Sequence, residues 1–312
     1  MARKHRVLLG QCCLGLACLL LLFVMRPIIS PTANCHRSEI APGSEFGPVV
    51  QMVHIPKTGG SFLEAYLTDW AHKKRYKTFH YAHTSQKAAE SWNCEELKLN
   101  GLLFGHRHFG YCNRLATSSH YNQMVFVGVF RHPIARLVSE FDYLARRLDN
   151  NPLLEPWSRM DISQVVIDAL SPTTTTVFTP GTYQHLSTHK IRRMCDIQTR
   201  FLAAPHISHH GQISLSVAIE NLHRMNVVVV QEHMREQLED QLRYVLGVGA
   251  QGERTMSVSN QINANPHQPS RLNAEALALV QECTQNDLQL YLAAVERSWE
   301  LLAKAKQCLL LR

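Results

Sequence analysis

The chain has 312 residues, 45% hydrophobic and 18% charged, which is enough apolar material for a full core and too little charge for a disordered polypeptide. Its formal net charge of +7 is partly local: Arg3, Lys4, Arg6 and Arg26 stand in the first 26 residues without an acid, and the other 28 basic and 25 acidic residues nearly cancel. That balance fits an anionic ligand and gives no reason to expect nucleic acid, and the length suits one domain of about 250 residues with short additional segments.

From the N-terminus, residues 1–6 read as a basic tail. Residues 7–25 form an almost unbroken apolar run from Val7 to Met25, closed by Arg26 and Pro27. Nineteen residues approach the roughly 20 that a helix needs to cross a bilayer. The basic flank predicts a cytoplasmic tail and a lumenal remainder, a single-pass type II topology. The alternative is a cleaved signal peptide, whose apolar region is usually shorter and followed by a small-residue cleavage site. Residues 26–47, with Pro27, Pro31 and Pro42, read as a stem, and residues 48–312 as the lumenal domain. Six cysteines lie outside the apolar run: Cys35, Cys94, Cys112, Cys195, Cys283 and Cys308. In a secretory compartment they allow disulfides, in any of 15 pairings. No Asn-x-Ser/Thr sequon occurs.

The apolar run from Val49 to Ile55 predicts a buried strand. Lys57-Thr58-Gly59-Gly60-Ser61 then predicts a turn, and Leu63, Tyr66, Leu67 and Trp70 fall at helical spacing. Leu102-Leu103-Phe104 reads as a strand running into Gly105-His106-Arg107-His108. Met124 to Phe130 predicts a further strand. Pro133 suits the first position of a helix whose face is Ile134, Leu137, Val138, Phe141, Ala145 and Leu148. Val227–Val230 reads as a strand and Met234 to Leu246 as an amphipathic stretch. Leu288, Tyr291, Leu292, Val295, Trp299 and Leu302 form the expected core stripe of a long last helix. Apolar strands alternating with helices predict an α/β fold with a P-loop-like central parallel sheet flanked by helices, beyond an N-terminal transmembrane helix.

Two strand-to-helix junctions carry chemistry. In His54-Ile55-Pro56-Lys57-Thr58-Gly59-Gly60-Ser61 the loop opens a helix whose first N–H groups lack helical partners and favour an anion. The glycines permit close backbone approach, Thr58 and Ser61 add hydroxyls, and Lys57 adds a cation. A Walker A loop would place the lysine after the glycines, and here it precedes them. In the second junction, Arg131 at the strand end and Ser139 about two helical turns on offer a guanidinium and a hydroxyl to one phosphate. Taken singly, a plain Gly-Gly turn and an ordinary strand-end arginine are competing readings.

Together, and in this order, the segments resemble the Golgi carbohydrate sulfotransferases of the heparan sulfate 6-O/2-O type. The first is similar to their 5′-phosphosulfate loop, His-Ile-x-Lys-Thr-Gly-Gly. The second is similar to their 3′-phosphate motif, R-x-P-x-x-R-x-x-S, over Arg131 to Ser139. More weakly, Asp196 to Leu202 resembles a mid-domain Q-x-R-x-L segment, and Asn286 to Tyr291 a closing D-x-x-L-Y helix. The resemblance implies a Golgi enzyme that takes a sulfuryl group from PAPS (3′-phosphoadenosine 5′-phosphosulfate) and gives it to an anionic, heparan-sulfate-like glycan. Lys57, Thr58, Gly59, Gly60, Ser61, Arg131 and Ser139 would hold the donor.

Such a transfer needs a cation at the leaving oxygen, for which Lys57 is the candidate, and a base for the acceptor hydroxyl, most suitably a histidine. The resemblance implies a strand-end histidine: His106, with His108 as the alternative. In the 6-O type a small residue and Asp-Trp follow this histidine, whereas here Arg107-His108-Phe109 follow. No metal is expected: neither His106, His108 and Cys112 nor His206, His209 and His210 has a strong zinc spacing. Lys73 to Lys77 and Arg146-Arg147 are candidate polysaccharide contacts or solvated faces, and Arg254 to Arg271 is a candidate lid or a plain surface loop. Competing functions are a nucleotide kinase of similar architecture and a catalytically inactive glycan-binding relative.

Overall fold

A computed structural model describes residues 49–74, 78–80, 102–104, 124–148, 161–171, 195–203, 214–247 and 271–311. The expected tail, membrane run and stem, His106 and His108, His206 to His210 and nearly all of the candidate lid lie outside the described residues. Among the described residues no helix is long and apolar enough to cross a membrane.

Five strands form one parallel sheet in the order β2-β3-β1-β4-β5: β1 Val49–Val53, β2 Thr78–His80, β3 Leu102–Phe104, β4 Met124–Phe130 and β5 Val227–Val230. The helices are α1 Gly60–Lys73, α2 Pro133–Leu148, α3 Ile162–Leu170, α4 Ile197–Ala203, α5 Leu215–Arg224, α6 Met234–Leu246, α7 Ala274–Cys283 and α8 Gln285–Leu310. The expected central parallel sheet flanked by helices is therefore the observed one.

Strands β1, β4 and β5 are buried on both faces. On one face Val125, Val127 and Val129 of β4 and Val227 and Val229 of β5 pack with Leu63, Leu67 and Trp70 of α1 and Leu238 and Leu242 of α6. On the other, Phe126, Phe130 and Val228 meet Phe201 and Leu202 of α4, Leu222 of α5 and Leu290 and Ala294 of α8. A third cluster joins α2, α3 and α7 through Leu137, Val138, Val166 and Val280. Gly128 leaves space that Met225 fills; a β-carbon there would lie 2.6 Å from Met225 Cε.

β5 lies at one edge of the sheet, and α6 closes it. Gln241 accepts from Val228 N (3.1 Å) and donates to Val228 O (2.9 Å), while Gln237 accepts from Val230 N at 2.9 Å. Two glutamines one helical turn apart thus stand in for a sixth strand and satisfy backbone groups that an open edge would leave unpaired. Gln237 and Gln241 are anchored in turn by bonds to Ser298 Oγ and Ser298 O of α8.

The expected stripe on the last helix is corrected. The buried face of α8 is Asp287, Leu290, Ala294, Ser298, Leu302, Ala305 and Cys308, whereas Leu292 and Trp299 are 59% and 38% exposed. Small residues face inward because α8 runs close against β5 and α6. The large apolar residues are displaced to the flank, where Trp299 lies against His233 at 5.3 Å between ring centres.

One cysteine pairing is described: Cys195–Cys283 closes a separation of 88 residues, just ahead of α4 and at the end of α7. Cys308 is also disulfide-bonded, to a residue outside the described set.

Candidate functional site

β1 and β4 are neighbours, paired from Val49 with Met124 to Val53 with Gly128. The chain leaves β1 toward the β2 side and leaves β4 toward β5 on the other side. Their carboxyl ends therefore flank the point where the winding reverses, the place where open α/β sheets form a ligand crevice. Both sequence motifs sit there.

The first loop is held in a special backbone shape. Lys57 has φ +63° and Gly59 φ +98°, both left-handed. For lysine that conformation is uncommon and marks a locally constrained position. Thr58 is fully buried and its hydroxyl donates to Ile55 O at 3.0 Å, so it shapes the turn and is not aimed outward. Gly60 also answers a packing need: a β-carbon there would lie 2.4 Å from His54 Cδ2. His54 is itself buried, with Nδ1 3.9 Å from Glu64 Oε2. Phe62 N and Leu63 N both reach Gly59 O, so the helix's own bonding begins at Phe62, with the N–H groups of Gly60 and exposed Ser61 ahead of it.

The second junction closes against the first. Half-buried Arg131 donates from Nη1 to Lys57 O at 3.1 Å. The Lys57 ammonium reaches across to α2 and lies 3.9 Å from the ring centre of Tyr143. Ser139, one helical turn before Tyr143, is buried. Burial lowers the Arg131 pKa, Glu232 opposes that and Arg136 adds to it; the group remains a cation. Lys57 and Arg131 are therefore brought together, with Gly59 and Gly60 beside them and Ser139 on the facing helix.

The structure adds residues to which the sequence reading gave no role. Glu140, next to Ser139, has a carboxylate oxygen that is buried and without a hydrogen-bond partner. Burial raises its pKa against the pull of Arg136 and Lys57. Arg136, the second arginine of R-x-P-x-x-R-x-x-S, is wholly buried and interacts electrostatically with Asp287 of α8 and with Glu140. It is an internal cation, not a ligand contact.

Behind the site, Asp287 accepts from Gln198 N (3.2 Å), Thr199 N (2.8 Å) and Thr199 Oγ1 (2.9 Å), capping α4. Asp196, at the head of α4, returns the arrangement by accepting from Asp287 N (2.9 Å) and Asn286 Nδ2 (2.8 Å). Two helix starts thus cap each other, stapled by Cys195–Cys283. Burial pushes the Asp287 carboxyl up to about 6, despite Arg136 and its backbone donors. Gln198 carries this order to the site by bonding to both backbone groups of Arg131. On the other side, Glu232 accepts from His132 N (3.0 Å) and bonds Tyr291, whose ring edge meets His132 at 5.4 Å. Burial and Glu232 push the Tyr291 hydroxyl up to about 12. The signal for these roles was the pair of weaker motifs: Gln198 and Leu202 in one, Asp287, Leu290 and Tyr291 in the other.

Lys73 pairs with Asp69 at 2.6 Å on the surface of α1, and Arg271, at the end of the candidate lid, pairs with Asp142 of α2 at 2.6 Å. Among the described residues no group of three or more His, Cys, Asp or Glu side chains is placed to hold a metal. A cavity of about 210 Å³ lies at the opposite end of β5, lined in part by Arg224, Arg297 and Lys304. Its two arginines are already paired with Glu220 and Glu300, and it shares no residue with the two junctions.

A parallel sheet with two basic strand-to-helix junctions at its winding reversal has the arrangement in which open α/β sheets form a ligand crevice. A family model described as the sulfotransferase family matches residues 48–291, and the chain belongs to that family. It is thus a sulfotransferase, an enzyme that moves a sulfuryl group to an acceptor substrate, which sets aside the nucleotide kinase reading. No curated protein and no solved structure matches the chain.

Proposed function

We propose that the donor is PAPS and that the acceptor is a hydroxyl of an anionic glycan, a heparan-sulfate-like glycosaminoglycan. The observation that carries the donor reading is the bond from Arg131 Nη1 to Lys57 O. It makes the two anion-binding junctions neighbours, so one adenosine bearing phosphate groups at both its 5′ and 3′ positions can meet both. Backbone groups around Gly59, Gly60 and Ser61, with Lys57, take the 5′-phosphosulfate; Arg131 and Ser139 take the 3′-phosphate.

In the reaction the acceptor oxygen attacks sulfur and a new S–O bond forms. The bond from sulfur to the bridging oxygen breaks, and adenosine 3′,5′-bisphosphate leaves with the electron pair. Lys57 stabilises the charge that develops on that oxygen, and the acceptor proton passes to His106, with His108 as the alternative base. No resident metal is required for these steps.

The type of acceptor rests on the likeness of His54 to Gly60 and Arg131 to Ser139 to the heparan sulfate 6-O/2-O type. We place the enzyme in the Golgi membrane on a single-pass type II anchor at residues 7–25, its catalytic domain lumenal. The Cys195–Cys283 disulfide supports an oxidising compartment.

The test is transfer from radiolabelled PAPS to a panel of selectively desulfated glycosaminoglycans, followed by disaccharide analysis. Label in a defined sugar position supports the proposal. Donor binding without transfer to any glycan would favour the inactive glycan-binding reading, and absence of donor binding would remove the PAPS assignment.

A further inference from the structure

The side chain of Gln198 is fully buried, lies outside both donor-binding motifs, and makes a two-point contact with the backbone of Arg131. Its Oε1 accepts from Arg131 N at 3.0 Å and its Nε2 donates to Arg131 O at 2.8 Å. Arg131 follows the last residue of β4, where the ladder with β5 ends at Phe130 and Val230. Beyond that point no strand among the described residues fixes the backbone, and a residue there would be free to turn its side chain with each change of φ and ψ. The amide of Gln198 replaces the missing strand partner.

Gln198 is itself immobilised. Its own N–H is held by Asp287, the neighbouring Thr199 gives that carboxylate two more bonds, and Cys195–Cys283 ties the start of α4 to the end of α7. Arg136 of α2 faces Asp287 from within the core. The support therefore begins and ends in the same motif, from Arg136 through Asp287 and Gln198 back to Arg131.

We propose that Gln198 is a positioning residue for nucleotide recognition: it aims the Arg131 guanidinium, and through it the enzyme's selectivity for a 3′-phosphate. This rests on the reading of Arg131 as the 3′-phosphate ligand.

The experiment compares affinities of the full chain, purified in detergent, for adenosine 3′,5′-bisphosphate and for AMP, by calorimetry. The ratio of the two isolates the 3′-phosphate; a purely structural defect lowers both affinities or the folded fraction together. Wild type and Gln198→Ala are measured with Arg131→Ala as the reference for loss of the Arg131 contribution. The expected result is that Gln198→Ala reduces the preference for the bisphosphate by about tenfold, the scale set by two neutral hydrogen bonds, with AMP affinity unchanged. Should Gln198→Ala not fold, Gln198→Glu, which keeps the acceptor and loses the donor, is judged on the same ratio. Full preference in a folded variant overturns the inference while leaving the Arg131 reading intact. Failure of both variants to fold overturns it too, because the residue then supports the whole domain. If wild type itself shows no preference, or Arg131→Ala retains it, the Arg131 reading fails and this inference falls with it.

Discussion

Arg131 Nη1 donates to the backbone carbonyl of Lys57 at 3.1 Å, across 74 residues of sequence. Each residue ends the loop-side approach of a different strand, and the bond locks the two approaches together at the reversal of the sheet. The same Lys57 has a left-handed backbone and an ammonium resting on Tyr143, so its charge is held between the loop and α2.

If that charge offsets the negative charge that builds on the leaving oxygen, Lys57→Ala lowers sulfuryl transfer at least a hundredfold, corresponding to about 3 kcal/mol. Steady-state transfer assays decide it, with thermal melting as the control for the altered φ +63° position. Turnover close to wild type would take Lys57 out of the mechanism.

His106→Ala is expected to abolish transfer and leave binding of adenosine 3′,5′-bisphosphate unchanged, since the base acts on the acceptor and not on the nucleotide. His108→Ala is expected to keep most of the activity. The reverse pattern would assign the base to His108.

Gly60→Ala places a β-carbon against the buried His54 imidazole, at 2.4 Å from Cδ2. The expected cost is about 1–3 kcal/mol of stability, typical of overpacking. Because the closest clash is with the His54 side chain, and Met52 Cε lies farther off at 3.1 Å, adding His54→Ala should recover part of it, so that the double variant loses less than the sum of the two single changes. Strict additivity in denaturant unfolding would show that the strain lies elsewhere.

Asp287 gives a pH dependence with a definite sign. Burial raises its folded pKa from 3.8 to about 6. Between about pH 4 and 6 the folded protein therefore holds a proton that the unfolded chain has released. Stability linked to this group is fully present below pH 4 and is lost as pH rises through 6, by on the order of 3 kcal/mol. Unfolding free energies across this range should fall with rising pH in the wild type and lose that slope in Asp287→Asn. An unchanged slope in the variant would assign the titration to another group, Glu140 being the nearest alternative in kind.

Several elements were legible because their signals are local. Val227–Val230 and Met234–Leu246 are a strand and a helix at the bounds their patterns suggest, and Pro133 opens α2. Leu63, Tyr66, Leu67 and Trp70 mark the buried side of α1 as their spacing predicts. The two loop motifs were legible as strand-to-helix junctions for the same reason: each is a short, contiguous run between an apolar strand and a helical pattern.

What the sequence by itself determined is this alternation of apolar strands and amphipathic helices, with two basic loops set into it, because periodicity and turn chemistry act within a few residues. Only the tertiary structure decided that Ala294 and Ser298, not Leu292 and Trp299, form the buried side of α8, since close helix packing selects small side chains over apolar bulk. It also decided that Arg136 belongs to the interior and that Gln198 serves Arg131 from 67 residues away. Hydrogen bonds and buried charges pair groups by proximity in space, and that proximity exists only once the sheet has brought the carboxyl ends of β1 and β4 side by side.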